Sequence, residues 1–253
     1  MGPLSRYDFG LDTEAVMRSV VIFCLSILFS QLACAAAPQK SVDLTMSWRV
    51  SLDAKGAITS LEPADASNPG LYQRLGPEIR KWHFATGKVR GVPAPAETTL
   101  TVQITLQPVD GFYRVLLRSA GTGARYATVT TPKYPDGAMM SKRGGAVLLE
   151  VHYDAKGNVT EVSLLEGGLP KPGSDIERSA IAAVKHWTFT PESIAGHGIA
   201  GVVRVPVCFS ARPGAENTCR WKVGGSDVPL DTKMPIAMNS VVHLETEIAG
   251  LSL

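Results

Sequence analysis

The chain contains the same pair of short motifs twice. The turn sequence Asp-Ala-Lys-Gly begins at Asp53 and recurs 101 residues later at Asp154. A Trp-x-Phe motif begins at Trp82 and recurs 105 residues later at Trp187. Two motifs repeated in the same order at nearly the same spacing indicate that one structural unit occurs twice. The sequence therefore predicts two units of similar fold.

The residues around these motifs predict the elements of each unit. Apolar residues alternate before each turn and again after each Trp-x-Phe motif, which is typical of strands, and they follow helical spacing before each tryptophan. The fold class is therefore α+β, with two tandem β-β-α-β units, each a small antiparallel sheet packed by one helix. The predicted elements are strands 44–52, 57–62 and 98–107 with helix 70–82, and strands 147–153, 159–165 and 201–209 with helix 174–186.

These units divide the chain into five predicted segments. Residues 119–131 are rich in glycine and threonine, which is typical of a linker. The segments are an N-terminal extension with a signal peptide (1–37), a first domain (38–118), the linker (119–131), a second domain (132–211) and a C-terminal tail (212–253).

The N-terminal region has the pattern of an export signal. Arg18 precedes a run of 14 mostly apolar residues, 20–33, which ends at Cys34-Ala35-Ala36. A basic residue, a short apolar stretch and small residues are the three parts of a signal peptide. We expect the signal to start at Met17 and to be cleaved after Ala35 or Ala36, so that the protein is exported. The alternative is an uncleaved anchor that holds it at the membrane.

Composition excludes several classes of function. A net charge of +2 gives no reason to expect nucleic acid as a partner. None of the five histidines lies at metal-ligand spacing from another ligand, and no nucleophile motif is present, so we expect no metal, no cofactor, no small-molecule substrate and no enzymatic activity. Cys208 and Cys219 lie outside the export region, and an even pair in an exported protein predicts a structural disulfide.

The last strand of the second unit contains Pro206. Proline has no N–H to donate to a neighbouring strand, so this strand should lie at the edge of its sheet or be bulged there. An open edge can accept an extended peptide as an additional strand. The alternative is that the tail or the other unit covers the edge. Residues 241–248 alternate well enough to form such a covering strand.

The second unit carries five motifs in a recognisable order. They are Tyr134-Pro135, Gly145-x-Val147, Asp154-x-x-Gly157, the helix end Trp187-x-Phe189-x-Pro191, and the final strand through Val205-Pro206-Val207. This pattern resembles the C-terminal domain of the TonB family over about residues 130–211. Residues 42–108 resemble a degenerate second copy, which lacks the Tyr-Pro motif and the proline after its Trp-x-Phe motif.

The resemblance implies a periplasmic domain that binds a short segment of TonB-dependent outer-membrane transporters or of another envelope protein, paired with the edge of the final strand. A homodimer formed through edge strands is a further option. The partner-binding residues that the resemblance implies are Tyr134, Pro135, Val202, Val203, Arg204, Val205, Pro206 and Val207.

The chain also departs from the energy-transducing members of this family. Such members have an N-terminal transmembrane helix and a long proline-rich spacer. Residues 38–130 contain no run of Glu-Pro or Lys-Pro repeats, and the apolar segment 20–33 is short for a membrane span. We therefore expect a binding function; the alternative is a membrane-anchored energy-transducer component.

Overall fold

The computed structural model describes residues 40–65, 67–165, 173–210, 220–223, 226–229, 234–248 and 250–252. The export region with Met17, and Cys219 of the predicted disulfide, lie outside these residues. The described residues from Ser41 onward form one compact unit. In this part of the chain, no helix has the length and apolar character needed to cross a bilayer.

The first half of the described chain is built mainly of strands. A single helix follows the first hairpin, and a second, long hairpin ends at Gly123. The elements are β1 (Val42–Leu52), β2 (Ile58–Pro63), α1 (Pro69–Ile79), β3 (Phe84–Ala85), β4 (Lys88–Val89), β5 (Val92–Pro93), β6 (Ala96–Val109), β7 (Phe112–Gly123) and β8 (Arg125–Thr128).

The second half contains two helices. The elements are α2 (Asp136–Met140), β9 (Gly145–Tyr153), β10 (Val159–Leu164), α3 (Ser174–Val184), β11 (Thr188–Thr190), β12 (Ser193–Ile194), β13 (His197–Gly198), β14 (Gly201–Phe209), β15 (Arg220–Val223), β16 (Ser226–Pro229), β17 (Ile236–Ala237) and β18 (His243–Leu244).

Two sheets organise these strands. The larger has the order β13-β12-β6-β1-β2, with β7 also paired to β6, and the smaller has the order β10-β9-β14-β17. In each sheet a hairpin is followed by a helix and then by a strand that pairs antiparallel with the first strand of the hairpin. The α+β class is confirmed. That the two arrangements are copies of one unit stays a prediction.

Each sheet has its own apolar core beneath its helix. In the first, Trp48 and Leu100 of the sheet share a cluster with Leu75 and Ile79 of α1. In the second, alternate residues of β9 and β14 face α3 and the tryptophan that follows it. The residues of α3 that are fully buried in this cluster are Ile176, Ala180 and Val184.

The repeated motifs meet in space in both halves. Asp53 Oδ1 accepts the N–H groups of Lys55 and Ala57 at 2.8 and 2.9 Å, and this closes the first Asp-Ala-Lys-Gly turn. Gly56 then accepts a hydrogen bond from the N–H of Phe84, the last residue of the Trp-x-Phe motif, at 3.3 Å. The first turn is thereby fixed to the end of its helix.

The second turn repeats these contacts. Asp154 Oδ1 accepts the N–H groups of Lys156 and Asn158, both at 2.9 Å, and the Gly157 carbonyl accepts the Phe189 N–H at 2.8 Å. Gly157 has a φ of 86°, and a Cβ there would lie 1.9 Å from the Phe189 carbonyl oxygen. Only glycine can occupy this position without displacing the chain.

Much of the predicted linker, 119–131, lies in strands. Residues 119–123 belong to β7, which pairs with β6 from Thr99 to Val109, and residues 125–128 form β8, which pairs with β11. Threonine suits strands, and the pairing with β6 satisfies the backbone. The domain boundary based on this segment stays a prediction.

We expect Gly157→Ala to lower the free energy of unfolding by at least about 2 kcal/mol, because it adds backbone strain and a clash with the Phe189 carbonyl. Gly111→Ala is the matched control. Gly111 has a nearly equal φ of 84° with nothing within 4 Å of its would-be Cβ, so it should lose only the strain. Urea denaturation measures both, and equal losses would contradict the close contact.

Candidate functional site

The predicted partner-binding strand, β14, is held along one side. It pairs antiparallel with β9 over its whole length, with Val203 opposite Val151 and Val207 opposite Val147. Val203, Val205 and Val207 are buried in the core, whereas Val202 and Arg204 are half-buried on the opposite face. The strand is therefore firmly fixed, and only its outer side is open to a further strand.

The backbone groups on that outer side alternate along β14. The Val202 carbonyl accepts the Met238 N–H, so the backbone of Val202 faces away from β9. Backbone direction repeats every two residues in a strand, so the backbone groups of Arg204, Pro206 and Cys208 also face away from β9. Pro206 therefore leaves a gap in the row of outward N–H donors. Beyond β14, the strand β17 pairs at Val203 and Arg204, so β14 is not the outermost strand of its sheet there.

The tail covers part of this edge. Strand β17 pairs antiparallel with β14, with Ala237 opposite Val203 and Ile236 opposite Arg204. The Met238 N–H donates to the Val202 carbonyl at 3.0 Å. In the described part of the tail the pairing covers these two positions, and the next outward position on β14 is Pro206, which has no N–H to donate.

A side chain completes this contact. The Val202 N–H donates to Asn239 Oδ1 at 2.9 Å, so the amide replaces the carbonyl that a longer strand would supply. The alternating residues 241–248 predicted a strand that could cover this edge. That position is wrong, since β18 within it pairs with β3, with His243 opposite Ala85.

Tyr134 and Pro135 lie at the far end of β14 from Val202. The Tyr134 ring packs edge-on against Phe209, the last residue of β14, with the ring centroids 5.5 Å apart. Its hydroxyl donates to the Arg143 carbonyl at 2.6 Å. Pro135 is the residue before α2, and both side chains are half-buried. The structure therefore gives Tyr134 a structural contact as well as a place beside the strand.

An ion pair supports the segment that binds Tyr134. The Arg143 guanidinium donates to both carboxylate oxygens of Asp175, at 3.1 and 2.7 Å. The hydrogen bonds from Arg143 lower the pKa of the Asp175 carboxyl to about 2. The pair connects the loop before β9 to the first turn of α3.

A buried carboxylate that the sequence analysis missed lies next to the covered edge. Glu192 Oε1 accepts hydrogen bonds from Thr98 Oγ1 at 2.5 Å and Ser240 Oγ at 2.9 Å, and Oε2 accepts the Val241 N–H at 2.8 Å. Glu192 therefore connects β6 of the first half to the tail. Burial, followed by the Glu192 charge, raises the pKa of the Tyr153 hydroxyl to about 12.

Sequence reasoning could not find the residues that complete the edge. Asn239 and Ala237 belong to no sequence motif. Glu192 follows Pro191 as a single acidic residue, and nothing in the sequence around it indicates that it is buried. Among the described residues, His, Cys, Asp and Glu side chains form no group of three or more that could hold a metal ion. The Cys208–Cys219 disulfide stays a prediction, because Cys219 lies outside those residues.

We expect the Asp175 carboxyl to titrate with a midpoint near pH 2, and Arg143→Met to move that midpoint up toward the ordinary aspartate value of about 4. Because the folded-state pKa is the lower one, the contribution of this pair to stability is complete above about pH 4 and is lost as the pH falls through about 2. The carboxyl 13C shift measures both midpoints, and an unchanged midpoint in Arg143→Met would refute the assignment.

Comparison with known proteins supports the resemblance for one part of the chain. Residues 130–211 match the family model described as Gram-negative bacterial TonB protein C-terminal. The chain is 40% identical over 79 residues to Protein TonB of Xanthomonas campestris pv. campestris, covering 31% of this chain and 34% of that protein. It is 33% identical over 81 residues to Protein TonB of Vibrio cholerae, covering 31% of each.

A third relative agrees with these two. Protein tonB2 of Pseudomonas aeruginosa is 33% identical over 86 residues, covering 34% of this chain and 31% of that protein. The chain thus spans about a third of the length of the curated relatives that it matches. No solved structure matches significantly. The family model does not extend to the predicted second copy at 42–108, which stays a prediction; residues 130–211 form a domain of the TonB C-terminal family.

Proposed function

We propose that residues 130–211 bind an extended segment of an envelope protein, such as a TonB-dependent outer-membrane transporter, by strand addition to β14. One observation carries this proposal. Strand β14 is paired along its full length with β9, but on its outer side, among the described residues, a strand pairs with it only at Val203 and Arg204. The family match supports the same role for these residues.

The outer side of β14 offers a mixed set of backbone groups. The tail occupies the outward N–H and carbonyl of Val202 and pairs with Arg204, whereas Pro206 presents a carbonyl alone. An added strand would gain its affinity from these groups and its specificity from the side chains beside them. The proposed contact residues are therefore Val202, Val203, Arg204, Val205, Pro206 and Val207, with Tyr134 and Pro135 where the strand ends.

Among the described residues, the first half has no free side on the strand equivalent to β14, and we infer that this half supports the binding domain. Its strand β6 occupies the place that β14 has in the second half, but β7 pairs with it from Thr99 to Val109. We also infer that the two halves are copies of one β-β-α-β unit, since their turns and helix ends make the same contacts. In the first copy, β7 of the same chain pairs with β6 on the side where, in the second copy, we propose that a partner strand adds to β14.

We further propose that the protein is exported to the periplasm, cleaved from a signal peptide that starts at Met17, and not an enzyme. The alternative is that residues 17–37 stay as an inner-membrane anchor of an energy-transducing component. A homodimer through the β14 edges would use the same backbone groups as a transporter segment. These arrangements differ in where the protein is found and in its mass.

Strand addition predicts that N-terminal peptides from the transporters of the same organism shift the backbone amides of residues 202–207. Arg204→Pro should weaken this binding at least about tenfold, because it removes an outward N–H and distorts the added pairing. Leu164→Pro, at an outward position on the opposite edge strand β10, is the matched control. Amide chemical shifts and calorimetry measure both; binding that survives Arg204→Pro would sink the proposal.

Export with cleavage predicts a soluble periplasmic fraction released by osmotic shock, whose N-terminus lies just after Ala35 or Ala36. Mass spectrometry of that fraction gives the cleavage site. An intact N-terminus that stays with inner membranes through a salt wash would instead establish the anchored form.

A further inference from the structure

The residues that pair with β14 come from the same chain. We call residues 234–240 the pairing segment. Its contacts to β14 are the two residue pairs of β17, the Met238 N–H bond to Val202, and the Asn239 bond from Val202. It occupies the position that a bound partner strand would take.

We propose that the pairing segment is an intramolecular competitor for the β14 edge, and that its own sequence shows which class of partner the edge accepts. This inference rests on the proposed strand addition. A partner would displace the pairing segment from Val202, Val203 and Arg204 before it could use the whole edge. The apparent affinity for a partner is then reduced in proportion to the fraction of molecules whose edge is open.

The residues that follow the pairing segment are attached to the protein by more contacts than the pairing segment makes with β14. Immediately after the pairing segment, the chain is fixed by the Val241 N–H to Glu192, by β18 on β3 and by the Glu245 N–H, which donates to the His83 carbonyl at 2.9 Å. Among the residues that the structure describes, the pairing with β14 is two residue pairs long. The pairing segment can therefore leave β14 while the following residues stay in place. Their attachment keeps it near the edge at a high effective concentration.

A close contact limits the partner's side chains. Gly123, the last residue of β7, lies against Ala237, and a Cβ built on Gly123 would be 2.4 Å from the Ala237 Cβ. A large side chain opposite Val203 would meet the backbone of β7. The position that Ala237 occupies therefore accepts a small residue.

The contact to Asn239 adds a second requirement. The Val202 N–H needs an acceptor at the end of the paired region, and a side-chain oxygen two residues after the small residue supplies it. A carboxylate or amide of similar length can do the same. The partner class is therefore an extended segment that runs antiparallel to β14, with Ala, Gly or Ser opposite Val203 and Asn or Asp two residues later.

The decisive variant is Met238→Pro in the full chain, because it removes the N–H that donates to Val202 and leaves the β14 sequence intact. Met238→Ala is the matched control, since it shortens the same side chain and keeps the N–H. Asn239→Ala is a second, milder variant that removes only the side-chain acceptor. The probes are a synthetic peptide with the sequence of residues 234–240 and N-terminal peptides of the transporters.

We expect the 234–240 peptide to shift the amides of residues 202–204 in Met238→Pro and to leave the wild type unchanged. The transporter peptides should bind Met238→Pro at least about tenfold more tightly than wild type, and Asn239→Ala about fivefold more tightly. Met238→Ala should behave as wild type. A 234–240 peptide with Leu in place of Ala237 should bind at least about tenfold more weakly to Met238→Pro.

The outcomes separate the two proposals. Equal binding of transporter peptides to wild type and to both loosened variants would overturn the competition and leave strand addition standing. Binding of the 234–240 peptide alone would uphold self-occupancy of the edge and overturn the transporter proposal. Failure of every peptide in both loosened variants would overturn both, and tight binding of the Leu-containing peptide would overturn the small-residue requirement.

Discussion

The contact between a turn glycine and the phenylalanine after a helix determines the geometry of each half of the protein. Gly56 accepts the Phe84 N–H and Gly157 accepts the Phe189 N–H, and in both places the two backbones approach too closely for a Cβ. The turn joins the first two strands, and the phenylalanine follows the helix. One backbone hydrogen bond therefore fixes a hairpin relative to its helix, which explains why both motifs recur together.

Glu192 performs a comparable role between the halves. It is buried, and its carboxylate accepts hydrogen bonds from β6, from Ser240 and from the backbone of Val241. A buried carboxylate is costly unless donors compensate it, and removing the carboxylate would in turn leave the Thr98 hydroxyl and the Val241 N–H unsatisfied, at about 1–3 kcal/mol each. Val241, which donates to Glu192, comes immediately after the residues that pair with β14. The hydrogen bonds of Glu192 therefore hold the tail beside β14.

The two halves share a plan but differ at the places that matter for binding. The Trp187 indole N–H donates to the Thr130 carbonyl at 2.9 Å, which ties the segment before Tyr134 to the second core. The Trp82 indole N–H of the first half is buried and has no hydrogen-bond partner among the described residues. The first half also pairs β6 with β7 from Thr99 to Val109, whereas in the second half the strand that lies on the outer side of β14 among the described residues pairs at Val203 and Arg204. The asymmetry favours binding by the second half and support by the first.

The sequence by itself determined the local elements and the identity of residues 130–211. Alternating apolar residues, the Asp-Ala-Lys-Gly turns and the helical spacing before each tryptophan predict the hairpins and helices, since each signal lies within a few neighbouring residues. Pro206 also predicted, without any structure, that its strand lacks one N–H donor for a neighbouring strand. The tertiary structure alone decided that β7 extends through residues 119–123, that Ala237 lies against Gly123, and that Glu192 joins Thr98 to the tail. These contacts connect residues far apart in the chain, and such pairings leave no periodic pattern in the sequence, so only the folded backbone shows what occupies the edge.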